Sequence, residues 1–274
     1  MKLSEALTVR GIPDSYERQE NIWLLEHILN IKMFEFRFRQ DKELTAEQQH
    51  AYLAALARLE AGEPLAYILG SQPFWTLDLK VTRDTLVPRP DTEVLVETVL
   101  TLELPEETKM VDLGTGTGAI ALALASEKPH WSVLATDVYM PTLIVARENA
   151  DKHGLQQVEF ACGAWFAALN QLPEPMFDLI VSNPPYIDAE DRHMKDLATE
   201  PVRALVALKQ GLADLETIIE QGKSWLRPKG WIVLEHGYEQ AEAVRSFFEH
   251  KGFASVRTVK DYNGNDRVTL GQLI

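Results

Sequence analysis

Met110-Val111-Asp112-Leu113-Gly114-Thr115-Gly116-Thr117-Gly118-Ala119 passes from an apolar strand through a glycine-rich loop into a helix. That setting gives the loop meaning, because glycines let the backbone approach a ligand closely. The next apolar run, Val133-Leu134-Ala135-Thr136, ends at Asp137, about where an acidic side chain receives the ribose hydroxyls of an adenosine. Gly114, Gly116 and Ala119 also satisfy the permissive dinucleotide fingerprint, so a nicotinamide-binding oxidoreductase competes as a reading. The plain alternative is a tight βα turn that holds nothing.

Around this stretch strands and helices alternate. Strands are expected at 109–113, 131–136, 157–161, 177–182, 230–235, 254–259 and 266–271, and helices near 118–126, 140–153, 212–226 and 238–250. This is an α/β pattern with a mainly parallel sheet covered on both faces. The last two strands leave no room for a helix, and Asn263-Gly264 between them predicts an antiparallel hairpin at the sheet edge. Residues 1–71 show helical spacing instead: Trp23, Leu24, Ile28 and Ile31 recur on one pattern, and Tyr52, Leu53, Leu56 and Leu59 on another. Glu63-Pro64 and Gly70 bound a further short turn of helix. The chain thus divides into a helical domain at 1–71, a β-ribbon linker at 72–85 carrying Phe74, Trp75, Leu77, Leu79 and Val81, and an α/β domain at 86–274. Val87-Pro88-Arg89-Pro90-Asp91-Thr92-Glu93 ends the ribbon and opens a helix, with Asp91 or Thr92 as its N-cap.

Charge narrows the partners. Lys and Arg total 27 against 41 Asp and Glu, a net charge of −14, which opposes non-specific attraction to phosphate backbones. The single cysteine, Cys162, excludes an intramolecular disulfide and reads as a small buried side chain. The N-terminus is charged too early for a signal peptide, and no apolar run approaches the roughly 18 residues of a membrane span. A cytoplasmic monomer without metal is expected, since the histidines show no ligand spacing.

Asn183-Pro184-Pro185-Tyr186 follows the apolar run 177–182 and therefore sits at the carboxyl end of a strand, where open α/β sheets bind ligands. Asn183 offers a carbonyl acceptor, the two prolines offer no N–H, and Tyr186 adds an aromatic face. Two acceptors and a ring complement a planar nitrogen with two N–H donors, such as an amide or an exocyclic amine. A proline-stiffened exit from the strand is the competing account.

Together these residues resemble a known family. Asp112-Leu113-Gly114-Thr115-Gly116-Thr117-Gly118 resembles motif I of class I S-adenosylmethionine-dependent methyltransferases, and Asn183–Tyr186 resembles their amino-methylating motif. Leu86–Glu93, Glu63–Gly70, Glu200-Pro201 with Ala204-Leu205, and Asn265-Asp266-Arg267-Val268 are similar to HemK/PrmC, the release-factor glutamine methyltransferases, over nearly the whole chain. The resemblance implies a Rossmann-like seven-stranded fold, S-adenosylmethionine as cofactor with S-adenosylhomocysteine as product, and peptide chain release factors as substrate. It also implies cofactor contacts from Gly114, Thr115, Gly116, Thr117, Gly118, Asp137, Trp165 and Asn183, with Asn183, Pro184, Pro185 and Tyr186 holding the glutamine. The family often has Asp where this chain has Ala164, which leaves stacking by Trp165 in place of a hydrogen bond there.

The expected chemistry is positional. The Asn183 oxygen and the Pro184 carbonyl accept the two amide N–H groups, Tyr186 packs on the amide plane, and no strong general base is evident or needed, since the methylated nitrogen becomes acidic and loses its proton to these acceptors or to water. Glu235-His236 reads as a loop pair rather than an acid–base couple, and Arg89 as either a ligand clamp or a junction cap. The shared motif also admits an adenine or guanine amine. Against that, Asp188, Glu190, Asp191 and Asp196 outnumber Arg192 and Lys195 after Tyr186, where a nucleic acid enzyme needs a basic groove; a lid at 187–205 for a protein loop suits them better.

Overall fold

Two hydroxyls open the long helices of the N-terminal segment. Ser15 accepts from the Arg18 N–H at 3.2 Å to start Tyr16–Leu29, and Thr45 accepts from Gln48 at 3.1 Å in a capping box that starts Ala46–Glu60. In the computed structural model, which describes residues 1–188, 190 and 199–274, these are α2 and α4 of a unit spanning Met1–Gly70, with α1 (Leu3–Leu7), α3 (Met33–Phe36) and α5 (Leu65–Leu69). Helices α1 and α3 are too short to show a period in the sequence. The buried stripes run through Asn21, Leu24 and Leu25 of α2 and Tyr52, Ala55, Leu56 and Leu59 of α4. Trp23 and Leu53 share the helical spacing, yet the helices turn them outward, 40% and 45% exposed.

The second unit is Ser71–Ile274. It begins with an antiparallel hairpin of β1 (Ser71–Phe74) and β2 (Leu77–Lys80), followed by α6 (Pro90–Leu100). Neither Asp91 nor Thr92 caps α6: the N-cap is Arg89 in extended backbone, because Pro90 supplies the fixed φ of a first helical residue and carries no N–H to satisfy. Then β3 (Lys109–Leu113), α7 (Ala119–Glu127), β4 (Ser132–Asp137), α8 (Met140–His153), β5 (Val158–Cys162) and β6 (Phe177–Ser182) alternate as expected. The chain ends with α9 (Ala213–Trp225), β7 (Leu226–Glu235), α10 (Ala241–His250), β8 (Phe253–Lys260) and β9 (Asp266–Leu273). Strand β7 starts at Leu226, ahead of the expected 230, because an irregularity opposite Phe177–Leu179 absorbs Pro228 and Gly230.

The seven strands lie in the order β5-β4-β3-β6-β7-β9-β8, parallel from β5 to β7 and antiparallel at β9 and β8. The hairpin thus inserts its second strand against β7 and leaves β8 at the edge. Successive residues of the central strands point to opposite faces. Met110, Leu179, Val181 and Val233 pack with α6 and α7, and Val111, Leu113, Ile180 and Ile232 pack with α9 and α10. Residues Ala119–Ala125 are all buried, which marks α7 as the central covering helix.

Strand order reverses between β3 and β6, so their carboxyl ends, Leu113 and Ser182, flank the crevice where such sheets hold ligands. Cys162, expected to be buried, is exposed, because it ends the edge strand β5. Of the expected lid, residues 189 and 191–198, including Asp191, Arg192, Lys195 and Asp196, lie outside the described residues. Among the described residues no helix is long and apolar enough to cross a membrane.

In the helical unit, the Tyr52 hydroxyl lies 2.8 Å from the Ala6 carbonyl and 2.7 Å from Asn21 Oδ1, fully buried, and burial pushes its ionisation up to about 12. Tyr52→Phe leaves buried Asn21 Oδ1 without its hydroxyl donor, while the Ala6 carbonyl keeps the Asn21 Nδ2 bond at 3.0 Å, so urea unfolding is expected to show a loss of about 1–3 kcal/mol. An unchanged midpoint contradicts this account of the unit's core.

Candidate active site

The loop after β3 is shaped by its glycines. Gly114, Gly116 and Gly118 all hold positive φ, at 76°, 58° and 85°. A side chain at Gly118 would put its Cβ 2.9 Å from Leu122, whereas the space at Gly116 is open toward a ligand. The N–H groups of Gly114 and Thr115 donate to the Thr136 carbonyl at 2.9 and 2.8 Å, tying the loop to the end of β4. Asp137 is fixed there by the Gly116 N–H at 3.2 Å and the Tyr139 N–H at 2.9 Å. Burial raises its carboxyl, against those two N–H groups and Arg203. Trp165, at φ 45°, lies 3.4 Å from where a Gly114 Cβ would stand, and its indole N–H donates to Asp214 at 3.2 Å.

The tetrapeptide leaves β6 with its polar groups already assigned. Asn183 Nδ2 donates to Thr92 Oγ1 of α6 at 3.2 Å, which leaves the carboxamide oxygen as the acceptor it presents. The Tyr186 hydroxyl donates to Glu235 Oε1 at 3.0 Å, and burial raises its ionisation. The Tyr186 carbonyl accepts from Gln240 Nε2 at 3.0 Å, while the Ile187 N–H donates to Leu205 at 2.9 Å. Arg89 pairs with the buried Glu200, which also accepts from the Val87 N–H at 3.2 Å.

Two adjoining cavities result. The first, about 240 Å³, is lined by Gly114, Thr115, Gly116, Thr117, Asp137, Trp165, Asn183 and Pro185 among others. Gly118 is not among its walls; it closes the loop onto α7. The second, about 290 Å³, is lined by Asn183, Pro184, Tyr186 and Glu235, with Asp91. Leu86, Arg89, Asn183 and Ala204 line both. The tetrapeptide therefore faces two ways, with Pro185 toward the first cavity and Pro184 and Tyr186 toward the second.

Sequence reasoning did not find Thr92, Asp214, Arg203 or Glu235 as walls of these cavities. Arg203 donates to the Asp84 carbonyl at 2.7 Å and stacks on Tyr139 at 3.9 Å. His236 is bonded by Nε2 to Thr269 at 2.7 Å, and burial lowers it to about 4, so it is a neutral structural side chain. Glu200-Pro201 and Arg267 stand out in the sequence, but only the fold shows that Glu200 meets Arg89 and that Arg267 joins Asp261 at 3.1 Å and Asp91 at 3.6 Å.

Compared with known proteins, residues 90–263 match the methyltransferase small domain and residues 2–70 the PrmC N-terminal domain. A release factor glutamine methyltransferase of Aliivibrio fischeri is 46% identical, covering 98% of this chain and 94% of its own. One from Escherichia coli K12 is 43% identical, covering 98% and 97%. Among solved structures, a methyltransferase from Pyrococcus furiosus has a TM-score of 0.53 at 20% identity, over 80% of this chain and 97% of its own, a likeness of fold.

Burial also governs the loop's anchor. Asp112 is fully buried, its Oδ2 accepts from the Thr115 hydroxyl at 2.6 Å, and desolvation raises its carboxyl to about 7 in spite of that bond. The folded chain therefore keeps this proton at pH values where the unfolded chain has lost it, and stability falls as pH rises from about 4 to about 7. Asp112→Asn removes the titration and keeps an acceptor for Thr115. Its destabilisation relative to the parent chain is expected to shrink steadily over that interval in urea unfolding; a gap that does not narrow contradicts the assignment.

Proposed function

The chain belongs to the family of release factor glutamine methyltransferases and is an S-adenosylmethionine-dependent enzyme; on that premise we propose that it methylates the side-chain amide nitrogen, N5, of a glutamine in peptide chain release factors. The observation that carries the reading is Asn183, which lines both cavities and has its carboxamide nitrogen bonded to Thr92. The cavity on the glycine loop takes the cofactor, and the one lined by Pro184 and Tyr186 takes the glutamine.

The first cavity fits an adenosyl group on its own chemistry. It offers a carboxylate at Asp137 for hydroxyls, a loop without side-chain obstruction at Gly116, and the ring of Trp165. Ala164 also lines this cavity and offers no side-chain acceptor, while the Asp214 carboxylate beside Trp165 does. When bound, S-adenosylmethionine supplies a methyl group made electrophilic by its sulfonium.

The chain's own residues then have a positioning task. An amide nitrogen is a poor nucleophile because its lone pair is delocalised, so alignment must contribute much of the rate; effective molarities reach about 10⁵–10⁸ M. Asn183 Oδ1 and the Pro184 carbonyl accept the two N–H groups of the glutamine, and the Tyr186 ring packs on its plane. As positive charge builds on nitrogen, these acceptors bind the transition state more tightly than the ground state. Glu200 holds Arg89 at the border of both cavities, and Gln240 holds the Tyr186 backbone. A net charge of −14 favours a protein substrate over nucleic acid.

Incubation with labelled cofactor and either purified release factor or total nucleic acid tests the substrate. Label is expected on one glutamine of the release factor, whose mass rises by one CH2 as a methyl replaces a hydrogen. Label in nucleic acid with that glutamine unchanged refutes the reading. For the mechanism, Asn183→Ala is expected to lower kcat by about 10²–10³-fold, the scale of a lost transition-state hydrogen bond, while S-adenosylhomocysteine affinity measured by calorimetry changes far less. Near-normal turnover makes the tetrapeptide a structural turn only.

A further inference from the structure

The two acceptors assigned to the glutamine are neutral carbonyls, and neither can keep a proton. Yet N-methylation of an amide must release one. Glu235, the last residue of β7, is 1% exposed and lines the second cavity with Asn183, Pro184 and Tyr186; it does not line the first. Its Oε1 receives the Tyr186 hydroxyl at 3.0 Å, and its Oε2 is buried with no hydrogen-bond partner among the described residues. An unpaired carboxylate oxygen inside a closed site is costly unless a ligand completes it. Asp91, the other carboxylate on this cavity, is already paired with Arg267 at 3.6 Å.

We propose that Glu235 Oε2 accepts the proton lost from the glutamine nitrogen, an assignment that rests on the amide-methylating function given above. The nitrogen lone pair forms the N–CH3 bond, and the electron pair of the broken C–S bond stays on sulfur. One N–H leaves its carbonyl acceptor as the nitrogen becomes tetrahedral and turns to Oε2; that bond then breaks, its electrons remain on nitrogen, and the proton passes to Oε2, to leave for water with the product. Direction supports this. The methyl enters from the first cavity, so the nitrogen becomes tetrahedral with its N–H bonds bent away, toward the wall that only the second cavity has. That wall carries Glu235 and Tyr186.

The groups facing the carboxyl are Tyr186 after β6, Asp91 and Thr92 of α6, and Arg267 of β9, with the neutral His236 next in sequence. Burial raises Glu235 above the usual carboxylate range, against the Thr92 and Tyr186 hydroxyls and Arg267, and Asp91 adds to the rise. A raised carboxyl is a stronger base but must be ionised to act, so kcat falls as pH drops through its value.

The pH profile of kcat, measured with saturating cofactor and release factor, is therefore expected to have an acid limb above the ordinary carboxylate range. Glu235→Gln, which keeps an acceptor for Tyr186, is expected to lower kcat about 100-fold or more and to lose that limb. Its KM for the release factor and its calorimetric affinity for S-adenosylhomocysteine should stay within about threefold of the parent, a split that a merely structural role would not give. Glu235→Asp should retain the limb at reduced kcat, and decides the matter if the glutamine variant does not fold. Parent-like kcat in Glu235→Gln, a limb that persists in it, or a parent profile with no such limb overturns the proposal. If the parent chain leaves the release-factor glutamine unmethylated, the functional reading itself fails.

Discussion

A carboxamide has nearly the same shape whichever end it presents, so the hydrogen bond that occupies one end decides what the other can do. At Asn183 that bond runs from Nδ2 to Thr92 Oγ1, and the oxygen is left for the cavities. Much of the second unit serves this contact. Pro90 starts α6 early enough to put Thr92 in its first turn, buried against the sheet. The reversal of strand order places β6 beside β3, so Asn183 emerges next to the glycine loop. Move either element by one residue and the acceptor no longer faces both cavities.

The site is also where the fold tolerates polar groups it does not fully satisfy. Asp112 Oδ1 and Glu235 Oε2 are buried without a partner among the described residues, whereas other buried polar side chains on these strands, such as Asp178 and Ser182, are hydrogen-bonded. The two unpartnered oxygens each lie at the carboxyl end of a central strand, beside a cavity. Arg267 answers part of the acidic excess through Asp261 and Asp91, and Tyr186 answers one oxygen of Glu235. Such arrangements cost stability in the free chain and become favourable when a ligand brings donors of its own.

Local sequence carried the fold well, and the site unevenly. The strand, loop and helix around Gly114–Gly118 obey short-range rules, and the six residues Phe177–Ser182 are buried throughout, as a mainly apolar run implies, with Asp178 paired to Arg227 and Ser182 to the Leu113 carbonyl. Asn183–Tyr186 could be read for the same reason, since four adjacent residues hold most of its chemistry. Glu235 could not: it meets Tyr186 across 49 residues, and Arg89 meets Glu200 across 111, with nothing local to mark either pair. Thr92 misled for a subtler reason. A threonine behind a proline is a natural cap, but Pro90 displaced the helix start and turned that hydroxyl toward Asn183.

If orientation of the amide is the central requirement, then at pH well above the acid limb, where the Thr92 hydroxyl's effect on the Glu235 carboxyl no longer changes its ionised fraction, Thr92 matters to catalysis through Asn183. A double-mutant cycle on kcat at that pH with Thr92→Val and Asn183→Ala tests this most directly. Thr92→Val alone should slow methyl transfer, and in the Asn183→Ala background it should cause no further loss. Losses that multiply independently would show that Thr92 does not act by aiming the Asn183 oxygen, and the account of the site would have to be abandoned.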